Sequence, residues 1–301
     1  CAIKLLEAGH SVTLFEAGDT LGGVPDTTIP RERFADSEAE VQAILAPALA
    51  AGRLCLKFGT PLGADLNLEL LQKRFDAVFI GVGLGDATSL DDGPGTERAL
   101  RFLATVKRGA RDDVPAGVAV IGGGNTAMDA ALTAKELGAE DVYLIYRRSF
   151  GELPAWEQER NACLNAGVNF LILTQPVGFA RDAAGVLTGI EVVRTKLGPL
   201  DASGRRRPEA IRGSESVIPV QLVIEALGQQ MNPEIQPALD GLKLTAKGLI
   251  ETTPFSQATN LPGVYAGGDI VNGGTTAVQG IAEGMKAAGE MDAYLSSTRD
   301  G

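Results

Sequence analysis

A chain of 301 residues is long enough for two packed domains, and 45% hydrophobic with 22% charged residues is ordinary globular composition. The net charge of −11 argues against a nucleic-acid partner, because phosphate recognition needs an excess of Lys and Arg. No apolar run approaches the roughly 18 residues that span a bilayer, and no signal-peptide pattern is visible; no membrane association and a cytoplasmic location are expected. The cysteines, Cys1, Cys55 and Cys163, are far apart and in no metal-ligand spacing, which predicts structural thiols, no metal site and no redox-active CxxC.

In chain order, AIKLLEAGHSVTLFE predicts a helix, a stop at Gly9 and a strand from Val12 to Phe15 that ends in Glu16. A carboxylate at such a strand end accepts hydrogen bonds from a ribose diol, as FAD or NAD requires. Leu21-Gly22-Gly23 follows. The chain starts at Cys1, inside this helical pattern, and reads as a truncated sequence. Aligning Gly9 with Gly138 puts the expected glycine loop eight, six and three residues before Cys1. The expectation is that the parent protein carries a strand and a GxGxxG there, and that residues 1–301 alone bind FAD poorly.

Ala99 to Arg108 predicts a connecting helix before the Pro115-Ala116-Gly117 turn. Residues 118–148, VAVIGGGNTAMDAALTAKELGAEDVYLIYRR, then give the whole context of a dinucleotide fingerprint. Strand Val118–Ile121 runs into Gly122-x-Gly124-x-x-Ala127, with Asn125 and Thr126 opening a helix that Gly138 stops before a strand from Val142 to Tyr146. Gly122 permits the tight turn, Gly124 lets the backbone approach a pyrophosphate, and Ala127 keeps helix and sheet close. The helix N-terminus supplies N–H donors and the positive end of a dipole. This strand ends in Arg147-Arg148, and guanidinium forks suit the extra 2′-phosphate of NADP, so NADP(H) is favoured and NAD(H) stays possible.

Asp201 to Arg212 is polar, and reads as a solvated hairpin tip whose Arg205–Arg207 run lies on the surface. Near the end, strand Gly263–Ala266 meets Gly267-Gly268-Asp269, and Thr275, Thr276 and Ala277 lead into a helix of small residues. Asp269 can bond ribityl or phosphate-side hydroxyls, with the helix N-terminus facing an electron-rich ring. The same residues also describe an Asp in a turn followed by a Thr N-cap.

Taken together these strings resemble the thioredoxin-reductase-like flavoproteins. More narrowly, they resemble the NAD(P)H–FAD module shared by the glutamate synthase small subunit and dihydropyrimidine dehydrogenase. AGHSVTLFEAGDTLGG is similar to the FAD-side helix, strand and glycine pair. IPRERF (Ile29–Phe34) is similar to a segment whose arginine, here Arg33, lies near the flavin. FDAVFIGVGLG (Phe75–Gly85, with Gly81 and Gly83) resembles the crossover strand. VIGGGNTAMDAA, YRRS and ELPAWEQE (Glu152–Glu159) resemble the NADP unit. VIEALGQ, with Gly228 before Gln229, resembles the return strand, and AGGDIVNGGTTAV the ribityl motif. GVGLG and ALGQ lean toward the dihydropyrimidine dehydrogenase branch.

The resemblance implies an α/β fold of two three-layer dinucleotide-binding (Rossmann-like) domains. The NAD(P) domain (97–228) is inserted in a discontinuous FAD domain (1–96 and 229–301). It implies an NAD(P)H-dependent FAD oxidoreductase, with electrons passed to a partner subunit or domain whose Fe–S clusters lie outside this sequence. The cofactors carry the chemistry, so no protein side chain, His10 included, is expected to be catalytic. Two other readings remain open: a stand-alone reductase of a ferredoxin or quinone, and a binding module that keeps the fold without redox chemistry.

Overall fold

The computed structural model describes residues 1–31, 33–34, 37–63, 65–86, 89–201 and 204–299. The chain forms two compact units, one from residues 1–26, 36–87 and 229–301 and the other from 27–35 and 88–228.

The first stretch of the first unit opens with α1 (Ala2–Glu7) and β1 (Val12–Phe15). Helices α2 (Gly23–Thr28) and α3 (Ser37–Ala50), strand β2 (Leu54–Lys57), α4 (Leu68–Arg74), β3 (Val78–Ile80) and β4 (Gly85–Asp86) follow. β1 and β2 run parallel, from Val12 opposite Leu54 to Phe15 opposite Lys57. The N-terminus of α4 is capped by Asn67, whose Oδ1 accepts from the Leu70 N–H at 2.9 Å.

The second unit is built on β5 (Thr96–Arg98), α5 (Ala99–Lys107), β6 (Gly117–Ile121), α6 (Asn125–Glu136), β7 (Asp141–Tyr146), α7 (Glu157–Asn165) and β8 (Asn169–Ile172). An antiparallel group of β9 (Thr174–Arg181), β10 (Leu187–Leu200), β11 (Arg206–Ala210) and β12 (Ser216–Ile218) precedes β13 (Leu222–Glu225). Five strands make a parallel sheet in the order β5-β13-β6-β7-β8. Strand alternation divides its side chains between two cores. Val118, Val120, Val142 and Leu144 face Phe102 of α5, Ala127, Met128 and Ala131 of α6, and Cys163 of α7. Ala119, Ile121, Ile145 and Val223 face Leu187, Ile190 and Val192 of β10. The third layer of this unit is therefore antiparallel β, where a helical layer is usual for a doubly wound sheet.

The remainder of the first unit comprises β14 (Gln229–Gln230), β15 (Val264–Ala266), the single turn α8 (Asp269–Asn272) and the long α9 (Ala277–Arg299). β15 runs parallel to β3, and β14 pairs antiparallel with β4. Leu68, Val78, Ile80, Ile250, Val264, Ala266 and Ile270 form its main core. A second core sets Leu5 of α1 against Ala287, Ala288 and Met291 of α9. His10 is buried beside it, with Nε2 2.8 Å from Asp292 Oδ1, a tie between the α1 turn and α9. The units differ from the expected boundaries: residues 27–35 and 88–96 pack with the second unit. For the second stretch the reason lies in β5, which completes the edge of the parallel sheet beside β13, and for the first in the contacts of Arg31 and Arg33.

Candidate dinucleotide sites

In the second unit the chain runs β6, β7, β8 outward in one direction and returns as β13 on the other side of β6. The order reverses at β6, and a crevice opens at the carboxyl ends of the strands at such a point. Gly122 to Ala127 sit there. Gly122 has φ +144°, and a Cβ on it would collide with the Ala226 carbonyl at the end of β13. Gly124 is the N-cap of α6, with φ −87°, no side-chain cap, and open space where a Cβ would project. Among the described residues the Asn125 and Thr126 N–H groups donate to no protein acceptor. Unsatisfied donors, a dipole end and an empty approach fit a pyrophosphate. Ala127 is fully buried against the sheet. Asn125 faces the following loop, its Oδ1 accepting from Trp156 N–H at 2.9 Å, while Gly123 C=O accepts from Ala155 N–H at 3.0 Å.

The two arginines after β7 part company. Arg147 is exposed. Arg148 is 4% exposed, its Nε donating to the Arg206 carbonyl at 2.7 Å and an Nη lying 3.3 Å from Asp201 Oδ2. A guanidinium so engaged holds the β10–β11 hairpin, so Arg148, expected at a phosphate, has its donors turned into the fold, and of the two arginines Arg147 alone is exposed. Residues 202 and 203, within the expected hairpin tip, lie outside the described residues.

Arg33, expected beside a flavin, makes two ion pairs within the second unit. Its Nη2 is 2.6 Å from Asp129 Oδ1 on α6 and its Nη1 2.5 Å from Glu159 Oε1 on α7. The same segment is tied down by the Arg31 guanidinium, donating to the Lys107 carbonyl at 2.9 Å, and by Lys107 Nζ, donating to the Phe34 carbonyl at 3.1 Å. Burial pushes the Asp129 carboxyl up to about 6, with Glu159 adding to the rise and Arg33 opposing it. Burial, with Asp129 and Glu159 close by, also pushes the Cys163 thiol up to about 12, so it is inert.

In the first unit Glu16 follows β1, and its Oε1 accepts from Gly18 N–H at 2.7 Å. Gly22 and Gly23 form the turn into α2. β3 and β15 are paired up to Ile80 opposite Ala266, so Gly81 and Gly83 leave one strand beside the point where Gly268 and Asp269 leave the other. A Cβ at Gly268 would meet nothing, which leaves the loop face open. Asp269 Oδ1 accepts from Thr275 N–H at 3.3 Å, and Thr276 Oγ1 caps α9 by accepting from Gln279 N–H at 3.2 Å. Thr275, Thr276 and Ala277 are exposed at the head of that 23-residue helix. Gly228, exposed, follows β13 in the second unit.

Two carboxylates escaped the sequence reading. Glu283 on α9 is buried and gathers Gly268 N–H at 2.6 Å, Asn272 Nδ2 at 3.2 Å and Gln279 Nε2 at 2.9 Å, fixing the Gly268–Asp269 loop. Glu225, buried at the end of β13, accepts from Ser89 Oγ at 2.8 Å and from Leu90 N–H at 3.1 Å. Glu225 carried one signal, an acid closing an all-apolar strand. Glu283 carried none: Gln279 is one turn away on the same helix, but the Gly268 and Asn272 donors come from the loop that folds back on α9.

The family model described as pyridine nucleotide-disulphide oxidoreductase matches residues 1–284. The NADP(+)-dependent formate dehydrogenase subunit beta of Moorella thermoacetica is 36% identical over 307 residues, covering 98% of this chain and 42% of that protein. The glutamate synthase [NADPH] small chain of Escherichia coli (strain K12) is 34% identical over 306 residues, covering 96% of this chain and 64% of that one. The chain thus spans less than two thirds of either relative. Among solved structures, Mycobacterium tuberculosis FprA in complex with NADPH superposes with TM-score 0.77 at 18% identity, over 100% of this chain and 82% of that chain, a likeness of fold. No helix among the described residues is long and apolar enough to cross a membrane.

Proposed function

The chain belongs to the pyridine nucleotide-disulphide oxidoreductase family, and from that premise we propose that it is the NAD(P)H–FAD module of a flavin-dependent oxidoreductase that feeds a partner subunit. The observation that carries this reading is the uncapped N-terminus of α6, fronted by open space at Gly124 and placed where the strand order reverses. Gly122, Gly124, Asn125, Thr126 and Ala127 would hold the pyrophosphate of NADP(H), and Arg147 its 2′-phosphate. Glu16, Gly22, Gly23, Gly81, Gly83, Gly268, Asp269, Thr275, Thr276 and Ala277 would hold FAD.

When bound, nicotinamide and flavin supply direct hydride transfer, so the protein needs no nucleophile or general base. The contribution of the chain is position and field. The α6 N-terminus binds and orients one nucleotide, and Thr276 directs the dipole of α9 toward the open side of the Asp269 loop, where it favours negative charge. Glu283 keeps that loop rigid.

The relatives named above are a subunit beta and a small chain, which supports a partner subunit; in this reading that partner carries the Fe–S or flavin groups that accept the electrons. Three separated cysteines support work in the cytoplasm. Addition of NADPH to the full-length protein under anaerobic conditions should bleach a bound yellow flavin; a colourless protein, or a yellow one that stays yellow, defeats the reading. Purification from its source with a second redox subunit supports the partner, and isolation alone with full turnover toward a small acceptor removes it.

A further inference from the structure

The end of β7 is joined to the β10–β11 hairpin by contacts that converge on two residues. Besides its bond to the Arg206 carbonyl and its ion pair with Asp201, Arg148 offers its own carbonyl to Leu173 N–H at 2.9 Å. The Arg147 carbonyl accepts from Thr195 Oγ1 of β10 at 2.8 Å. Leu173, between β8 and β9, is held at φ +50°, a left-handed conformation costly for a residue with a Cβ. The surroundings over-determine this joint.

Its consequence is electrostatic. The fold spends the guanidinium of Arg148 on the backbone of Arg206 and so brings the start of β11 to the strand end that carries Arg147. Arg206 and Arg207 have exposed side chains and, like that of Arg147, these make no ion pair or side-chain hydrogen bond among the described residues. Elsewhere on the same hairpin the charges are matched, as where Lys196 meets Glu209 at 3.5 Å. In a chain of net charge −11, these three unmatched arginines lie on two elements that the Arg148–Arg206 bond holds together, and they add nothing to the core. An anion of more than one charge would repay that arrangement. The end of the second strand of a βαβ unit is also where the ribose 2′ position of a dinucleotide lies.

We propose that Arg206 and Arg207 are specificity residues that hold the 2′-phosphate of NADP together with Arg147, and that Arg148 is a positioning residue that sets the hairpin in place. This rests on the assignment of the second unit to NADP(H). Arg148 touches no phosphate: its donors are spent within the fold, and its part is to keep β11 within reach.

The test uses the full-length protein and two probes, 2′,5′-ADP and 5′-AMP, whose affinities are read by calorimetry. The wild type is expected to favour 2′,5′-ADP. Replacing both exposed arginines (Arg206→Ser with Arg207→Ser) should lower the affinity ratio by about tenfold or more, the usual weight of a charge-assisted hydrogen bond. Arg148→Lys keeps the charge and loses the planar fork; it should lower the ratio too, although no phosphate ligand has been removed. If the double variant keeps the full wild-type ratio while Arg147→Ser abolishes it, the hairpin has no part in recognition and the inference is overturned. If the wild type shows no preference between the probes, the NADP assignment itself falls, and the inference with it.

Discussion

The guanidinium of Arg33 meets the Asp129 carboxylate at 2.6 Å on the flank of α6, the helix whose N-terminus is the proposed nucleotide cradle. Asp129 is 7% exposed and Glu159 shares the same guanidinium, so one cation serves two carboxylates in a poorly solvated place. The trio sits between α6 and α7 and fastens the backbone around Arg33 to both.

The pH dependence follows from the direction of the Asp129 shift. Its folded-state value is raised, to about 6 from 3.8, so the folded state binds this proton more tightly than the unfolded chain does. Asp129 thus contributes stability that is full below about 4 and is lost as pH rises through about 6. Asp129→Asn, which cannot ionise, should gain on the wild type across that window, by up to about 3 kcal/mol between pH 4 and pH 7. Urea unfolding at a series of pH values measures it; parallel curves for the two proteins would refute the assignment. Arg33→Ala removes the cation from both carboxylates. It should cost about 2 kcal/mol at pH 8, a value discounted for the partial exposure of Arg33, and less at pH 5 where Asp129 is protonated.

Gly122 and Gly124 should respond differently to the same methyl group. At Gly122 a Cβ collides with the backbone carbonyl of Ala226 and the positive φ is unfavourable, so Gly122→Ala should lower the yield of folded protein or its melting temperature. At Gly124 the backbone is extended and the space open, so Gly124→Ala should fold normally and lose affinity for NADPH, because the added carbon occupies the approach to the α6 N–H groups. Thermal unfolding combined with NADPH titration separates the two. A Gly124→Ala protein that binds NADPH as the wild type does would place the nucleotide elsewhere.

Glu283 is the test of the loop in the first unit. Glu283→Ala leaves the Gly268 N–H and the Asn272 and Gln279 amides without their acceptor, at a cost of about 2–4 kcal/mol. The full-length variant should also lose flavin on dialysis, since the loop carrying Asp269 is no longer fixed. Glu283→Gln retains the shape and should fall between. Wild-type flavin content in Glu283→Ala would remove the loop from the site.

Much of this was legible along the chain because it is local. The strand, turn and helix around Gly122–Ala127 obey period, cap and glycine rules that act within about 30 residues, and the structure reproduces them with β6, α6 and β7. The α1–β1 pair, the helix from Ala99 and the hairpin near Arg206 are likewise local, and they too stand in the fold.

What only the tertiary structure decided was the partner of each charged side chain. Arg147 and Arg148 are adjacent and alike in sequence, yet one faces solvent and the other is spent on a hairpin more than 50 residues away. Arg33 resembles a flavin neighbour by its string, and it pairs with carboxylates 96 and 126 residues downstream. Glu283 reads as an ordinary surface acid, and Glu225 only as an acid that closes an apolar strand, until folding brings donors to them. Hydrophobic period and backbone sterics are written residue by residue, whereas a salt bridge depends on which distant surfaces the packed elements bring within a few ångströms.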